Sequence, residues 1–198
     1  RYVRINVLKN SANQAAHLVE LKVYAEGTAP VAAAPPAPKP DAEGYIPLFN
    51  GKDLAGWTGS LKGYVVENGI LVCLKEGGGR LQTEEQYGDF SFRFEFKLEP
   101  GANNGVGIRY TDGNPAYSGM EIQILDDTAE QYKSLKPYQY HGSIYGVVPC
   151  KRGFQKPLGE WNSEEIIANG RRVTVILNGT TIVDADLDEA VANGGPAD

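Results

Sequence analysis

The amino-acid sequence predicts an all-β protein, a two-sheet antiparallel β-sandwich of the jelly-roll type. Three observations carry this. Segments of apolar–polar alternation, the period of a strand with one buried face, recur along the chain. Gly-rich and Asn-Gly turns separate them at short spacing. No amphipathic helical pattern longer than about three turns interrupts them.

The elements follow in order. Tyr2 to Val7 alternates, and after a polar loop Leu18 to Tyr24 alternates again, so residues 1–26 hold a pair of strands. Two strands alone are not a stable unit in water. The next stretch, 27–41, contains TAPVAAAPPAPKP, in which Pro removes backbone donors and Ala adds little burial; it reads as an extended linker. Residues 42–198 are β-rich throughout. Glu67-Asn68-Gly69 is a turn before the apolar strand Ile70 to Leu74, and Phe90 to Leu98 is the strongest alternation in the chain. Its four phenylalanines point to one face, the expected core, and Ser91, Arg93, Glu95 and Lys97 to the other. Gly105 to Tyr110 and Met120 to Leu125 repeat the logic, and Arg172 to Asp184 is a hairpin closed by Asn178-Gly179.

Composition narrows the function classes. Charged residues make up 22% and the net charge is -6, which is ordinary globular composition without the basic footprint that a nucleic acid requires. No apolar run approaches the length of a membrane-spanning helix, so no membrane span is expected. No signal peptide opens the chain, which begins in mid-strand as a piece of something longer would. Cys73 and Cys150 lack the spacing of a metal site or a redox dithiol; they read as two unpaired buried thiols, or as a disulfide if the fold brings them together.

Several motifs stand in a fixed order: YIPLFNGKDL with Gly56-Trp57, Asp89-Phe90 with Phe94-Glu95-Phe96, PGANNGVGIR from Pro100 to Arg109, GMEIQILD from Gly119 to Asp126, GSIYG from Gly142 to Gly146, GEWN from Gly159 to Asn162, and Leu177-Asn178-Gly179. Taken together, over about 45–186, they resemble the 3-keto-disaccharide hydrolase family, which has a fold of the concanavalin A-like lectin/glucanase type. The first 26 residues resemble the closing strands of a discoidin-like, galactose-binding module. On that reading the rest of the module lies upstream, or the strands dock on the main domain. The family usually continues with a Gly-His-Gly-containing strand and a closing strand, whereas this sequence stops at Gly194 to Asp198, so the C-terminal strands are expected to be lacking. The resemblance implies a carbohydrate substrate and an extracytoplasmic location (periplasmic, cell-surface or secreted).

The chemistry it implies is cleavage of a glycoside already oxidised at C3. A C3 ketone acidifies the C2 proton, and loss of that proton permits expulsion of the C1 substituent. Such a site needs a base, an acid, and a donor, cation or metal facing the enolate. Strand parity sets Glu121 and Gln123 opposite Met120, Ile122 and Ile124. Glu121 is the leading base or metal ligand, and Gln123 a hydrogen-bonding partner for sugar hydroxyls. Arg109 is expected to carry enolate charge or to pair with Glu121. Asp126, at a strand end, reads either as a turn residue or as a catalytic carboxylate, and His141, before GSIYG, as catalytic or structural. Glu121 and His141 together could hold a divalent metal; no cofactor is certain. Asn104, Tyr110 and Tyr145 are expected to bind substrate, with Tyr117, Tyr138 and Tyr140 nearby, while Trp57 and Trp161 read as core. Glu121, Gln123 and Arg109 also fit a plain solvated face with surface ion pairs. Retaining glucanases of this fold use paired carboxylates about 5–5.5 Å apart, in a Glu-x-Asp-x-x-Glu pattern. Here Gln123 and Asp126 replace its last two members, which argues against that chemistry. An enzyme acting on 3-keto-glycosides and a non-catalytic carbohydrate-binding module are the two functions left open.

Overall fold

The computed structural model describes residues 3–7, 20–22, 41–110 and 119–192. The expected linker, Tyr117 and residues 193–198 lie outside them. The strands are β1 (Val3–Val7), β2 (Glu20–Lys22), β3 (Trp57–Gly59), β4 (Tyr64–Glu67), β5 (Ile70–Cys73), β6 (Leu81–Thr83), β7 (Phe90–Leu98), β8 (Asn103–Tyr110), β9 (Met120–Leu125), β10 (Asn162–Asn169), β11 (Arg172–Leu177) and β12 (Thr180–Asp186), followed by a short helix α1 (Leu187–Ala192). They form a seven-stranded sheet, β12-β11-β10-β7-β1-β5-β4, and a five-stranded sheet, β3-β6-β2-β8-β9. Every pairing is antiparallel except those of the two N-terminal strands. β1 runs parallel to both β5 and β7, and β2 parallel to both β6 and β8.

Local chemistry explains the hairpins. Asn68 and Gly69, and again Asn178 and Gly179, all adopt positive φ, the conformation of the two-residue turn whose twist matches the flanking strands. Asn178 is held there by its side chain, which donates to the Phe154 carbonyl and accepts from the Ser163 amide.

The core lies between the sheets. Phe92, Phe94 and Phe96 of β7 are buried, their rings in file at 5.0 and 5.9 Å between centroids. Phe90, at the strand's end, is only half-buried and packs against the core's edge. From the facing sheet come Val106, Ile108, Ile122 and Ile124. The outward residues of β7 carry charge as expected: Arg93 pairs with Glu43 and Glu165 and lies 4.0 Å from the Tyr45 ring centroid. Trp57 is core. Trp161 is not: it is half-buried and packs beside the Lys97 ammonium, because it precedes β10 rather than lying within it. Both cysteines are free thiols. Cys73 lies in the core and Cys150 at its margin, where its thiol donates to the His141 carbonyl at 2.9 Å.

Candidate functional site

The outer face of the five-stranded sheet is where polar groups converge. β8 and β9 pair with Gly107 opposite Glu121, Gly105 opposite Gln123, and Asn103 opposite Leu125. Strand alternation turns Ile122 and Ile124 into the core and leaves Glu121 and Gln123 outside, over a stretch of β8 whose outward residues, Gly105 and Gly107, have no side chains. Both polar side chains lean one step along β8. The Glu121 carboxylate lies over Gly105, where a Cβ would stand 2.5 Å from its Cδ and Cγ and closer still to Oε1. Gln123 donates from Nε2 to Asn103 Oδ1 at 3.2 Å. The two are 8% and 4% exposed, so each presents only an edge to solvent.

The loop after β9 builds the wall. Residues 141–148 run beside β9 as an irregular extra strand: the Gln123 amide donates to the Ser143 carbonyl, Gly142 N–H to the Gln123 carbonyl, and Tyr145 N–H to the Glu121 carbonyl. Ile144 therefore points into the core, and Tyr145 to the side of Glu121 and Gln123. The Tyr145 hydroxyl accepts a hydrogen bond from Gln139 Nε2 at 2.8 Å, which leaves its own proton available to a ligand. Leu125, Tyr132 and Tyr140 form a small second core beneath the loop. On the other side of β8, the Tyr110 hydroxyl donates to Gln82 Oε1 at 2.6 Å.

Other expected site residues are used differently. Arg109 has a φ of 50° and turns its guanidinium to the seven-stranded sheet, where it pairs with Asp89 at 2.7 Å and donates to the Gly170 carbonyl. It is not brought beside Glu121. Asn104 shares the inward parity of Val106 and Ile108, so Asn103 rather than Asn104 reaches the outer face. The Asn104 Oδ1 accepts the Gly105 amide proton, and its Nδ2 has no hydrogen-bond partner among the described residues. Asp126 is fully engaged in a turn: Oδ2 accepts from Gly101 N–H at 2.7 Å, and Oδ1 from the Thr128 amide and hydroxyl at 2.9 and 2.6 Å. Its neighbour Asp127 accepts from the His141 amide, and burial holds its carboxyl above the ordinary range despite Arg152 nearby.

His141 is enclosed as well. Its ring faces the interior, 5.0 Å from the Phe96 ring. Nδ1 accepts the Leu125 amide proton at 3.2 Å, which assigns the ring proton to Nε2. Nε2 stands 2.9 Å from a Glu164 carboxylate oxygen, and the two side chains are 1% and 0% exposed. The N–H does not point along that line, so the pair is close without an aligned hydrogen bond. The His141 ring therefore lies in the interior, away from the outer face that carries Glu121. Glu164 was not anticipated. Its strand carries polar and apolar residues on both faces, so alternation alone does not say which face is inward. Among the described residues no group of three or more His, Cys, Asp or Glu is arranged to hold a metal ion, and no helix is long and apolar enough to cross a membrane.

The fold and the site together define a two-sheet β-sandwich with a polar outer face, an architecture shared with solved structures assigned as glycosyl hydrolases. Two crystal structures of proteins from Parabacteroides distasonis assigned as glycosyl hydrolases superpose on this chain. One, at 2.00 Å resolution, is 32% identical with a TM-score of 0.61, covering 71% of each chain. The other, at 1.70 Å resolution, is 26% identical with a TM-score of 0.62, covering 74% of this chain and 76% of that one. The family model of the 3-keto-alpha-glucoside-1,2-lyase-like domain matches residues 44–196, and the chain belongs to that family. A 3-keto-disaccharide hydrolase of Bacteroides thetaiotaomicron is 30% identical over 154 residues, covering 64% of this chain and 53% of that protein. The chain thus spans about half the length of the curated relative it matches.

Proposed function

We propose that this domain cleaves 3-keto-glycosides at the outer face of the five-stranded sheet, with Glu121 as the base that removes the C2 proton. The observation that carries the reading is the Glu121 carboxylate itself, held on a strand over the Gly105 backbone and flanked by Gln123 and Tyr145 in a chain of this family. The proton on C2 passes to Glu121, and the C–H electron pair forms the enolate of the C3 ketone. Re-forming the ketone drives a double bond between C1 and C2 and expels the C1 oxygen, which takes up a proton. Water then adds at C1 when the outcome is hydrolysis. Tyr145, with its hydroxyl proton free, is suited to donate to the enolate or to the leaving oxygen. Gln123 uses Nε2 on Asn103 and offers Oε1 to a sugar hydroxyl.

The test is turnover of a 3-keto-glucoside and of the unmodified glycoside by wild type and Glu121→Gln. The glutamine keeps the size and most hydrogen bonds but takes no proton, so turnover should fall by about 10²–10⁴-fold with the melting temperature unchanged. A Glu121→Gln protein with wild-type turnover rules out Glu121 as the base. A wild type that binds glycans without turning over any 3-keto-glycoside would assign the face to carbohydrate binding alone.

A further inference from the structure

We infer that Gly105 is a positioning residue: its missing side chain is the seat that fixes the Glu121 carboxylate. The inference rests on the reading of Glu121 as the base and adds what holds that base in place. Glu121 pairs with Gly107 in the ladder, yet its side chain extends diagonally to Gly105. The three atoms nearest a Cβ built at Gly105 are Oε1, Cδ and Cγ of Glu121, the last two at 2.5 Å. The carboxylate therefore rests against the β8 backbone.

A glycine within a strand marks either a conformation that other residues avoid or a close approach. Gly105 is not among the residues with positive φ, so an alanine meets no backbone objection there. What remains is the space, and Glu121 fills it. Carbon atoms pack at about 3.5–4.0 Å, so an added methyl group displaces the carboxylate by about 1 Å or more. The end of a flexible side chain can yield this much without unfolding the sheet. A displacement of about 1 Å in a catalytic group costs on the order of 10²-fold in rate.

The experiment compares wild type with Gly105→Ala, Glu121→Ala and the double variant, using 3-keto-glucoside turnover, thermal melting and a crystal structure of Gly105→Ala. Gly105→Ala is expected to melt within a few degrees of wild type, to lose about 10²-fold in kcat with a smaller change in KM, and to show the Glu121 carboxylate moved by about 1 Å. Glu121→Ala alone is expected to keep only residual turnover, since it has no carboxylate. Adding Gly105→Ala to it should cost less than about threefold more, since Cγ, Cδ and Oε1 are all gone and the seat is empty. A purely structural glycine would instead impose its full loss in the Glu121→Ala background. That result, wild-type kcat in Gly105→Ala, or an undisplaced carboxylate in its crystal structure would overturn the inference. If Glu121→Gln retains full turnover, the base assignment falls, and the crystal structure still decides whether Gly105 seats the carboxylate.

Discussion

The Nε2 atom of His141 stands 2.9 Å from the carboxylate of Glu164, with both side chains shut off from water between the two sheets. Glu164 belongs to β10 of one sheet. His141 belongs to the loop that flanks β9 of the other and binds β9 directly through Leu125. The pair therefore joins the wall of the candidate site to the opposite sheet.

Removing one member of such a pair strands the other. His141→Ala also leaves the Leu125 amide without its acceptor. We expect a loss of about 1–3 kcal/mol for each buried polar group left unsatisfied, read by urea unfolding. Glu164→Gln keeps the shape and an acceptor for Nε2 and should cost far less. A His141→Ala protein within about 0.5 kcal/mol of wild type, the range of an unremarkable surface change, would mean that the wall stands without the pair.

On β7, Phe94→Ala and Phe96→Ala should each cost about 3–5 kcal/mol, since both rings are fully enclosed. Phe90→Ala should cost clearly less, because that ring is half open. Chemical denaturation of the three variants checks the order, and an equal cost at all three positions would contradict the burial described.

Asp126→Ala removes the acceptor of three hydrogen bonds in the turn after β9. Bonds to a charged acceptor are worth about 1.5–3 kcal/mol each, and part is regained from water. The variant should melt well below wild type, and its turnover should fall only as folded protein is lost. Catalytic loss at full stability would return Asp126 to the reacting groups.

Asp127 has a carboxyl held above the ordinary range by burial. A raised folded-state pKa means that the folded protein binds the proton more tightly than the unfolded chain does. Stability from this group is therefore fully present below the unfolded value of 3.8 and is lost as pH rises through the folded value. Asp127→Asn keeps an acceptor for the His141 amide and removes the titration. Its stability relative to wild type should rise with pH across that window, as followed by melting at a series of pH values. A constant difference would show that Asp127 does not titrate there.

Much of this was legible in the sequence, for physical reasons that differ by element. The phenylalanines of β7 declare their face because strand alternation is strict and every second residue is aromatic. The Asn-Gly turns declare themselves because few other pairs take positive φ twice in succession. Glu121 and Gln123 follow from the same parity as their isoleucine neighbours. Parity also held the answer for Asn103 and Asn104, since Val106 and Ile108 fix which is inward. Arg109 was not legible: its positive φ redirects the side chain, and no alternation rule anticipates that in a residue other than glycine. Glu164 was hidden because a buried carboxylate contradicts the hydropathy on which such readings depend. For His141 the sequence leaves catalytic and structural readings open, because proximity to GSIYG says nothing about which way a ring turns.

The two thiols carry a practical corollary for handling the protein. Cys73 is enclosed in the core, and burial pushes its thiol up to about 11. Cys150 is likewise raised by burial, and its hydrogen is committed to the His141 carbonyl. Exchange chemistry proceeds through the thiolate, and neither sulfur readily supplies one. Both sulfurs are free, so no disulfide braces the described residues, and the melting temperature of the folded protein should be indifferent to dithiothreitol.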